Sequence, residues 1–176
     1  NDRNAWGGRF QAAWDVTTNF SLDFAVDYAE EDNALTMGQA ISTLTSFAGA
    51  QPIGVITTPP PYNFTAQATP GLPNSSLMNH GGLSLRASWD LGNNWTINST
   101  TAYRALDYDD YIDIDATQFE YGDVFVGVQQ EQTSQEFQAV YEGDRLTVVS
   151  GLFYMREQID SHQEAYGDDL VFGYFG

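Results

Sequence analysis

Cysteine is absent from the chain. Its absence excludes disulfide bonds, thiolate nucleophiles and cysteine-ligated metal centres at once. Basic residues are scarce as well, since 6 Lys and Arg stand against 24 Asp and Glu and give a formal net charge of −18. Such a charge opposes the approach of a phosphate backbone, so nucleic acid is not expected among the partners.

Long apolar runs are also missing. No segment approaches the about 20 consecutive apolar residues that a membrane-spanning helix requires. Hydrophobic residues nevertheless make up 42% of the 176 residues and aromatic residues 14%, which argues against a disordered chain. Segments in which apolar and polar residues alternate cross a bilayer as β-barrel strands without forming such a run. The composition therefore leaves both a soluble domain and a membrane β-barrel open.

Enzyme motifs are lacking too. His80 and His162 lie far apart in the sequence, and neither has a Glu or His at the spacing of a zinc motif. The chain contains no glycine-rich phosphate loop and no nucleophile elbow. The sequence therefore predicts no enzymatic activity and no cofactor, and it assigns no catalytic, cofactor-binding or metal-binding residue.

Alternation of apolar and polar residues is the main pattern that the chain does have, and it predicts three hairpins. Each hairpin has a short polar break between its strands. In the second break Gly92, Asn93 and Asn94 tolerate the positive φ that tight turns require. The predicted strands are residues 6–15, 20–28, 83–91, 95–103, 132–141 and 145–157.

Long connectors separate these hairpins. They cover residues from about 30 to 79, from about 108 to 130, and the tail after 160, and the prolines of the first connector discourage regular strands there. Short turns at one end of the strands and long loops at the other are typical of outer-membrane barrels, whose short turns face the periplasm.

Aromatic residues stand eight positions apart on one face of single strands, as in Phe20 and Tyr28 or Trp95 and Tyr103. At about 3.3 Å per residue such a pair brackets roughly 26 Å of strand, close to the height of the apolar band of a membrane barrel between its aromatic girdles. One predicted girdle flanks the short turns and the other lies at the loop ends. The first comprises Trp14, Phe20, Trp89, Trp95 and Tyr141, and the second Tyr28, Tyr103 and Tyr154.

These patterns predict an all-β fold of about six antiparallel, up-and-down transmembrane β-barrel strands, with one partial barrel domain over residues 1–176. About six strands are too few to close a barrel, because the smallest has eight. The strands are therefore expected to be part of a larger barrel. Two alternatives stay open: a complete small outer-membrane barrel with further strands inside 30–79, and a soluble all-β carbohydrate-binding module.

Three segments carry a family resemblance. Residues 83–104 (LSLRASWDLGNNWTINSTTAYR), 132–138 (QTSQEFQ) and 149–154 (VSGLFY) resemble the early barrel strands of TonB-dependent outer-membrane receptors. The resemblance implies an outer-membrane location and active uptake of a scarce, bulky nutrient such as a ferric siderophore, haem, vitamin or glycan. It also implies outer-membrane lipid and the TonB complex as partners, the latter through a plug domain.

No plug-like or energy-coupling segment is visible before Trp6, and no secretory signal follows Asn1. We therefore expect the chain to be an internal fragment of the receptor barrel without its plug domain. In such a barrel the polar strand face would point into the lumen. That face includes Arg9, Asp23, Arg86, Asp90, Glu136 and Gln138.

Aromatic residues in the long connectors are the candidates for ligand contact, because exposed rings stack on sugars and planar chelates. The alternative is that they pack the loops against one another. The candidates are Tyr62, Phe64, Phe119, Tyr121 and Phe125.

An acidic run between the second and third hairpins offers hard oxygen ligands for calcium. It lacks the Gly and terminal Glu of an EF-hand loop, and alternating Asp residues on a strand that enters water are a sufficient explanation of it. The sequence leaves calcium binding undecided. The run comprises Asp107, Asp109, Asp110, Asp113 and Asp115.

Overall fold

A computed structural model describes residues 3–34, 38, 68–73, 75–117 and 119–169. Tyr62 and Phe64 lie outside the described residues. The described part contains six β-strands. They are β1 (Arg3–Thr17), β2 (Phe20–Ala34), β3 (Ser75–Gly92), β4 (Trp95–Ile112), β5 (Asp123–Glu142) and β6 (Thr147–Tyr166).

The strands form one antiparallel sheet in the order β1-β2-β3-β4-β5-β6, so every strand pairs with its neighbours in the chain. The sheet is open, because within the described residues β1 and β6 each pair on one side only. The prediction of an all-β fold with six antiparallel strands in three hairpins is confirmed. No helix in the described part of the chain has the length and apolar character needed to cross a membrane.

Register joins the alternating faces of the separate strands into two continuous faces of the sheet. One row of partners runs Trp14, Leu22, Ala87, Ser99, Phe137 and Leu152. The face that carries this row is called the apolar face. The opposite face, called the polar face, carries the six residues predicted to line a lumen: Arg9, Asp23, Arg86, Asp90, Glu136 and Gln138.

Short turns close all three hairpins at one end of the sheet. Gly92, Asn93 and Asn94 have φ values of 73°, 53° and 68°, as the sequence predicts. Positive φ at both central residues of a two-residue turn matches the twist of the flanking strands. Neighbouring turns are also joined, because the Asp90 amide donates to the Asn19 carbonyl and the Glu142 amide to the Asn94 carbonyl, each at 2.9 Å.

The strands extend further into the long connectors than the sequence predicts. The connector predicted over 108–130 is shorter, because β4 continues to Ile112 and β5 begins at Asp123. The third hairpin likewise extends to Tyr166, and β3 begins at Ser75. The reason is that backbone hydrogen bonds hold a ladder together whatever the side chains are, so strands continue past the apolar stretch that made them recognisable.

No hydrophobic side chain is buried among the described residues. On the apolar face Leu152 is 77% exposed, Trp14 63% and Phe137 51%. Burial of apolar surface is the main favourable term in folding, at roughly 25 cal/mol per Å². The described sheet does not gain this free energy from its own packing. Its apolar face therefore needs other apolar material against it.

An ion pair on the polar face crosses a whole strand. The Arg104 guanidinium of β4 donates to both carboxylate oxygens of Asp27 on β2, at 3.3 and 3.1 Å. Between them lies Gly82 of β3, the register partner of both residues. A Cβ at position 82 would lie 2.5 Å from the Tyr103 carbonyl oxygen and 3.0 Å from Arg104 Cγ. Glycine therefore makes room for the bridging side chain.

We expect Gly82→Ala to lower the free energy of unfolding by about 1–3 kcal/mol, because the added methyl overlaps a strand backbone and the Arg104 stem. The ion pair itself is half-exposed and contributes at most about 1 kcal/mol. Urea titration followed by tryptophan fluorescence measures the change. Gly8→Ala is the matched control, since a Cβ there meets nothing within 4 Å. Equal effects of the two substitutions would contradict this account of Gly82.

Candidate functional site

Two of the described ligand-contact candidates lie together in the β4–β5 connector. The rings of Phe119 and Tyr121 stack with centroids 5.2 Å apart and planes 23° apart. Phe125 is not in the connector, contrary to prediction, but in β5. There its ring lies 4.6 Å from that of Tyr111 and 6.1 Å from that of His162. These ring contacts match the packing alternative, and ligand contact by the same rings stays a prediction.

The connector between β4 and β5 is shaped by two aspartates. Asp113 Oδ1 accepts the Ala116 amide at 2.7 Å, and Ala116 has a φ of 56°, in the left-handed region. The two oxygens of Asp115 accept the amides of Thr117 at 2.8 Å and Tyr121 at 3.2 Å. Side chains that accept nearby amides in this way take the place of a regular backbone ladder.

A buried carboxylate stands where the connector ends. Asp123 is 1% exposed, and its Oδ2 accepts the Thr69 hydroxyl at 2.7 Å. The same hydroxyl lies 3.0 Å from the Phe119 carbonyl oxygen. Thr69 belongs to the connector between β2 and β3, so this one hydroxyl ties both long connectors together at the start of β5.

Three carboxylates converge here and are called the acidic cluster: Asp113, Asp115 and Asp123. One oxygen from each lies within 4.8 Å of the others. Asp113 Oδ2 and Asp123 Oδ1 are buried and have no hydrogen-bond partner. Neither of the two ion pairs in the described part of the chain includes a member of the cluster.

The electrostatics of the acidic cluster reflect this crowding. Burial raises the pKa of Asp123 above its ordinary value, and the charges of Asp113, Asp115 and Glu120 raise it further. Burial likewise raises the pKa of Asp113 and the charge of Asp115 adds to this shift, whereas the backbone amides of Ala116, Thr69 and Asp115 oppose it. Both groups are therefore harder to ionise than free carboxyls, so holding them all charged at neutral pH costs free energy.

Only part of the acidic run predicted from the sequence takes part in the cluster. Asp107, Asp109 and Asp110 lie within β4, and strand alternation sends the first two to one face and the third to the other. Asp123 was missed, because only the pairing of β4 with β5 brings it back beside Asp113. The sequence contains no spacing motif that marks it.

Polar side chains form a ladder on the polar face near the short turns. The Ser88 hydroxyl donates to Asn98 Oδ1 at 2.8 Å, and Asn98 Nδ2 donates to Gln138 Oε1 at 3.3 Å. Asn98 is 9% exposed, so its amide is satisfied where water is largely excluded. These bonds link β3, β4 and β5 through side chains.

Strand β6 departs from the division into two faces. Its polar-face positions include Val149, Phe153, Met155 and Ile159, which are 58%, 65%, 48% and 55% exposed. Its apolar-face positions Leu152 and Tyr154 are exposed as well. Apolar side chains therefore lie on both sides of this edge strand. Its sequence accordingly shows only weak alternation of apolar and polar residues.

No protein-family model matches the chain, and no curated protein matches it either.

We expect Thr69→Val to loosen the junction of the two connectors. The substitution keeps the side-chain shape but removes the hydroxyl, leaving Asp123 Oδ2 buried without its donor, at a cost of about 1–3 kcal/mol. Amide hydrogen exchange of Phe119 and Tyr121 measures the effect, and we expect it to accelerate about tenfold or more. Thr69→Ser keeps the hydroxyl and serves as the control. Unchanged exchange in Thr69→Val would remove the assigned role.

Proposed function

We propose that this chain is a segment of an outer-membrane β-barrel and serves in active transport as part of a TonB-dependent receptor. The observation that carries the barrel proposal is the course of two aromatic lines across the apolar face. The short-turn line consists of Trp14, Phe20, Trp89, Trp95 and Tyr141, and the tyrosine line of Tyr28, Tyr103 and Tyr154. All eight residues lie on the apolar face.

The tyrosine line is inclined to the rows of paired residues. Tyr103 pairs with Leu83, and Leu83 pairs with Val26. Val26 lies two residues nearer the short turns than Tyr28. The strand pairings from β6 back to β2 place Tyr154 at the level of Phe24. Phe24 lies a further two residues towards the short turns. The line therefore drops by four residues over the four strand spacings from β2 to β6.

The short-turn line is inclined in the same sense and to the same extent. Trp14 pairs with Leu22, and Phe20 lies two residues closer to the turns than Leu22. Phe20 pairs with Trp89 at that same level. Trp95 and its partner Tyr141 lie a further two residues towards the turns. At about 3.3 Å per residue and about 4.8 Å per strand spacing, both lines make an angle of about 35° with the paired rows. Strands of membrane barrels are tilted by about 35–45°.

The separation of the lines suits a bilayer. Eight residues separate Phe20 from Tyr28 and Trp95 from Tyr103. This corresponds to roughly 26 Å along the strand and, at a tilt of about 35°, to about 21 Å along the membrane normal. The apolar band of outer-membrane barrels is about 25 Å tall.

Beyond the tyrosine line the same face becomes acidic. Between the lines it carries exposed apolar side chains such as Phe24 and Leu85, at 38% and 42% exposure. Beyond the tyrosine line, charged residues occupy the apolar face. They are Glu30, Asp32, Asp107, Asp109, Glu131 and Asp160. An apolar band that ends in tyrosines and then in carboxylates is what a lipid boundary requires.

Two further features support a place in a larger barrel. The uncovered apolar face needs an apolar solvent, which lipid supplies. The edges of β1 and β6 need partner strands, because unpaired backbone groups are not tolerated in hydrocarbon. Further strands on both sides would satisfy them and complete the closure that six strands do not reach.

The transport part of the proposal is supported by the resemblance of residues 83–104, 132–138 and 149–154 to receptor barrel strands. In this proposal the receptor binds a scarce, bulky nutrient such as a ferric siderophore, haem, vitamin or glycan. Phe119 and Tyr121 then lie on the extracellular side, near the incoming ligand. Energy reaches the receptor from the TonB complex through the plug domain.

Single cysteines test the membrane placement, because the chain has none of its own. Leu85→Cys places a thiol between the two lines, and Asp107→Cys places one on the same face beyond the tyrosine line. In outer membranes that contain the protein, we expect a charged, membrane-impermeant maleimide to label Asp107→Cys and to leave Leu85→Cys at least about tenfold less labelled, because lipid covers position 85.

Detergent-solubilised, urea-unfolded samples provide the labelling maximum for each variant. Comparable labelling of both thiols in the membrane, or recovery of the folded protein as a monomer without detergent, would remove the barrel proposal. The second result would favour the soluble β-module instead.

The reading frame that encodes the chain tests the receptor class. We expect it to run for several hundred residues, with a plug-like domain upstream and more alternating strands downstream. Determining its full length is the measurement. A frame that consists only of a secretory signal and these 176 residues would exclude the receptor segment, and a small complete barrel would take its place if the thiol labelling still indicates lipid.

A further inference from the structure

We infer that the acidic cluster is a binding site for a divalent hard cation, with calcium as the ion that fits it. Asp113 and Asp115 follow β4, Asp123 begins β5, and the antiparallel pairing of the two strands closes the cluster. The inference does not depend on the membrane placement, since all three residues lie at the connector end of the sheet.

The spacing of the carboxylates suits a shared ion. One oxygen from each of the three residues lies within 4.8 Å of the others. Calcium holds oxygen ligands at about 2.3–2.6 Å, so two ligands on opposite sides of one ion are about 4.6–5.2 Å apart. Magnesium at about 2.0–2.1 Å limits the same separation to about 4.2 Å and demands stricter geometry. The limit of 4.8 Å admits either ion, and the tolerance of calcium for irregular ligand geometry makes it the ion we expect here.

Unpartnered oxygens give a second and independent indication. Asp123 is 1% exposed, yet its Oδ1 has no hydrogen-bond partner, and Asp113 Oδ2 is also buried without one. Buried polar atoms in proteins are almost always satisfied. An ionised carboxylate oxygen left alone is among the most costly exceptions. A cation that coordinates these oxygens would satisfy both.

No side-chain cation compensates the cluster within the described residues. The ion pairs of that part join Arg104 to Asp27 and His162 to Glu164, and neither reaches the cluster. Glu120 adds a further negative charge nearby, since it contributes to the raised pKa of Asp123. Three carboxylates with no counter-charge attract a divalent ion strongly.

The donor set determines the class of metal. All three side chains offer carboxylate oxygen, and the cluster contains neither His nor Cys. Oxygen-only sites suit calcium, magnesium and manganese rather than zinc or copper. The Thr69 hydroxyl beside Asp123 supplies a neutral oxygen at the border of the site, and water would complete the six to eight ligands of calcium.

The consequence of binding is an ordered connector. An ion held by Asp113, Asp115 and Asp123 would join the end of β4, the middle of the connector and the start of β5. Through the Thr69 hydroxyl it would also fix the first long connector. The stacked pair of Phe119 and Tyr121 lies within this framework, so the cation would hold the predicted ligand-contact rings in place.

Calcium titration of the chelator-treated protein tests the site. We expect saturable binding of one ion per chain in the range of extracellular calcium modules, about 10⁻⁴ to 10⁻³ M, measured by isothermal calorimetry. Terbium luminescence sensitised by nearby tyrosine gives a second readout. We also expect calcium to slow amide exchange of Phe119 and Tyr121 at least about fivefold, while equal magnesium has a smaller effect.

Asp123→Asn keeps the shape of the side chain and removes its charge, and we expect it to weaken calcium binding at least about tenfold. Asp107→Asn is the matched control, because that residue lies in the same acidic region but outside the cluster, and we expect it to bind as the unsubstituted protein does. Asp113→Asn serves as a second cluster variant if Asp123→Asn loses its β-sheet circular dichroism.

Absence of saturable binding in the folded, unsubstituted protein would overturn the inference. So would binding that Asp107→Asn abolishes and both cluster variants leave unchanged. These outcomes are separate from the barrel proposal, since thiol labelling at positions 85 and 107 reports on lipid and is independent of calcium.

Discussion

The register of the five strand pairings is the constraint on which everything else in this structure depends. Side chains on a strand alternate between two faces, so a slip of one residue in any pairing would move every apolar side chain of that strand to the polar face. The described residues contain no buried hydrophobic side chain that would oppose such a slip through packing. The register is held instead by the turns, by the Asn98 ladder and by the Arg104 bridge to Asp27.

The same constraint explains why much of the fold could be predicted from the sequence. The faces of the strands follow directly from period-two alternation, and Gly92, Asn93 and Asn94 have the backbone freedom that one turn type requires. Each of these features is local. The inclination of the aromatic lines is not local, because it appears only when the register relates Tyr28 to Tyr103 and Tyr154. The sequence therefore predicted that these aromatic residues share one face of their strands, but not the slope of the two lines across the sheet.

The acidic cluster and the strand ends show where local reasoning stops. Nothing in the alternation pattern marks the end of β4 at Ile112, because a strand in water tolerates carboxylates as well as apolar residues. Asp123 is adjacent to Asp113 in space only because β5 returns antiparallel along β4. A site built from both ends of a hairpin connector has no spacing signature. Phe125 was misplaced for the same reason, since the start of β5 lies within the stretch that the sequence suggested was loop.

The distribution of negative charge along the sheet is related to the two aromatic lines. In the proposed barrel, a lipid boundary would exclude carboxylates from the band between the lines, so a chain with a net charge of −18 would place many of them beyond it. They accumulate at the end of the sheet near the long connectors, where Glu30, Asp107 and Glu131 lie on the apolar face beyond the tyrosine line. Crowded carboxylates repel one another, and that repulsion opposes the packing of the connectors. A cation at the acidic cluster would relieve that repulsion at buried Asp123, whose pKa the neighbouring carboxylates raise, whether or not lipid covers the apolar face.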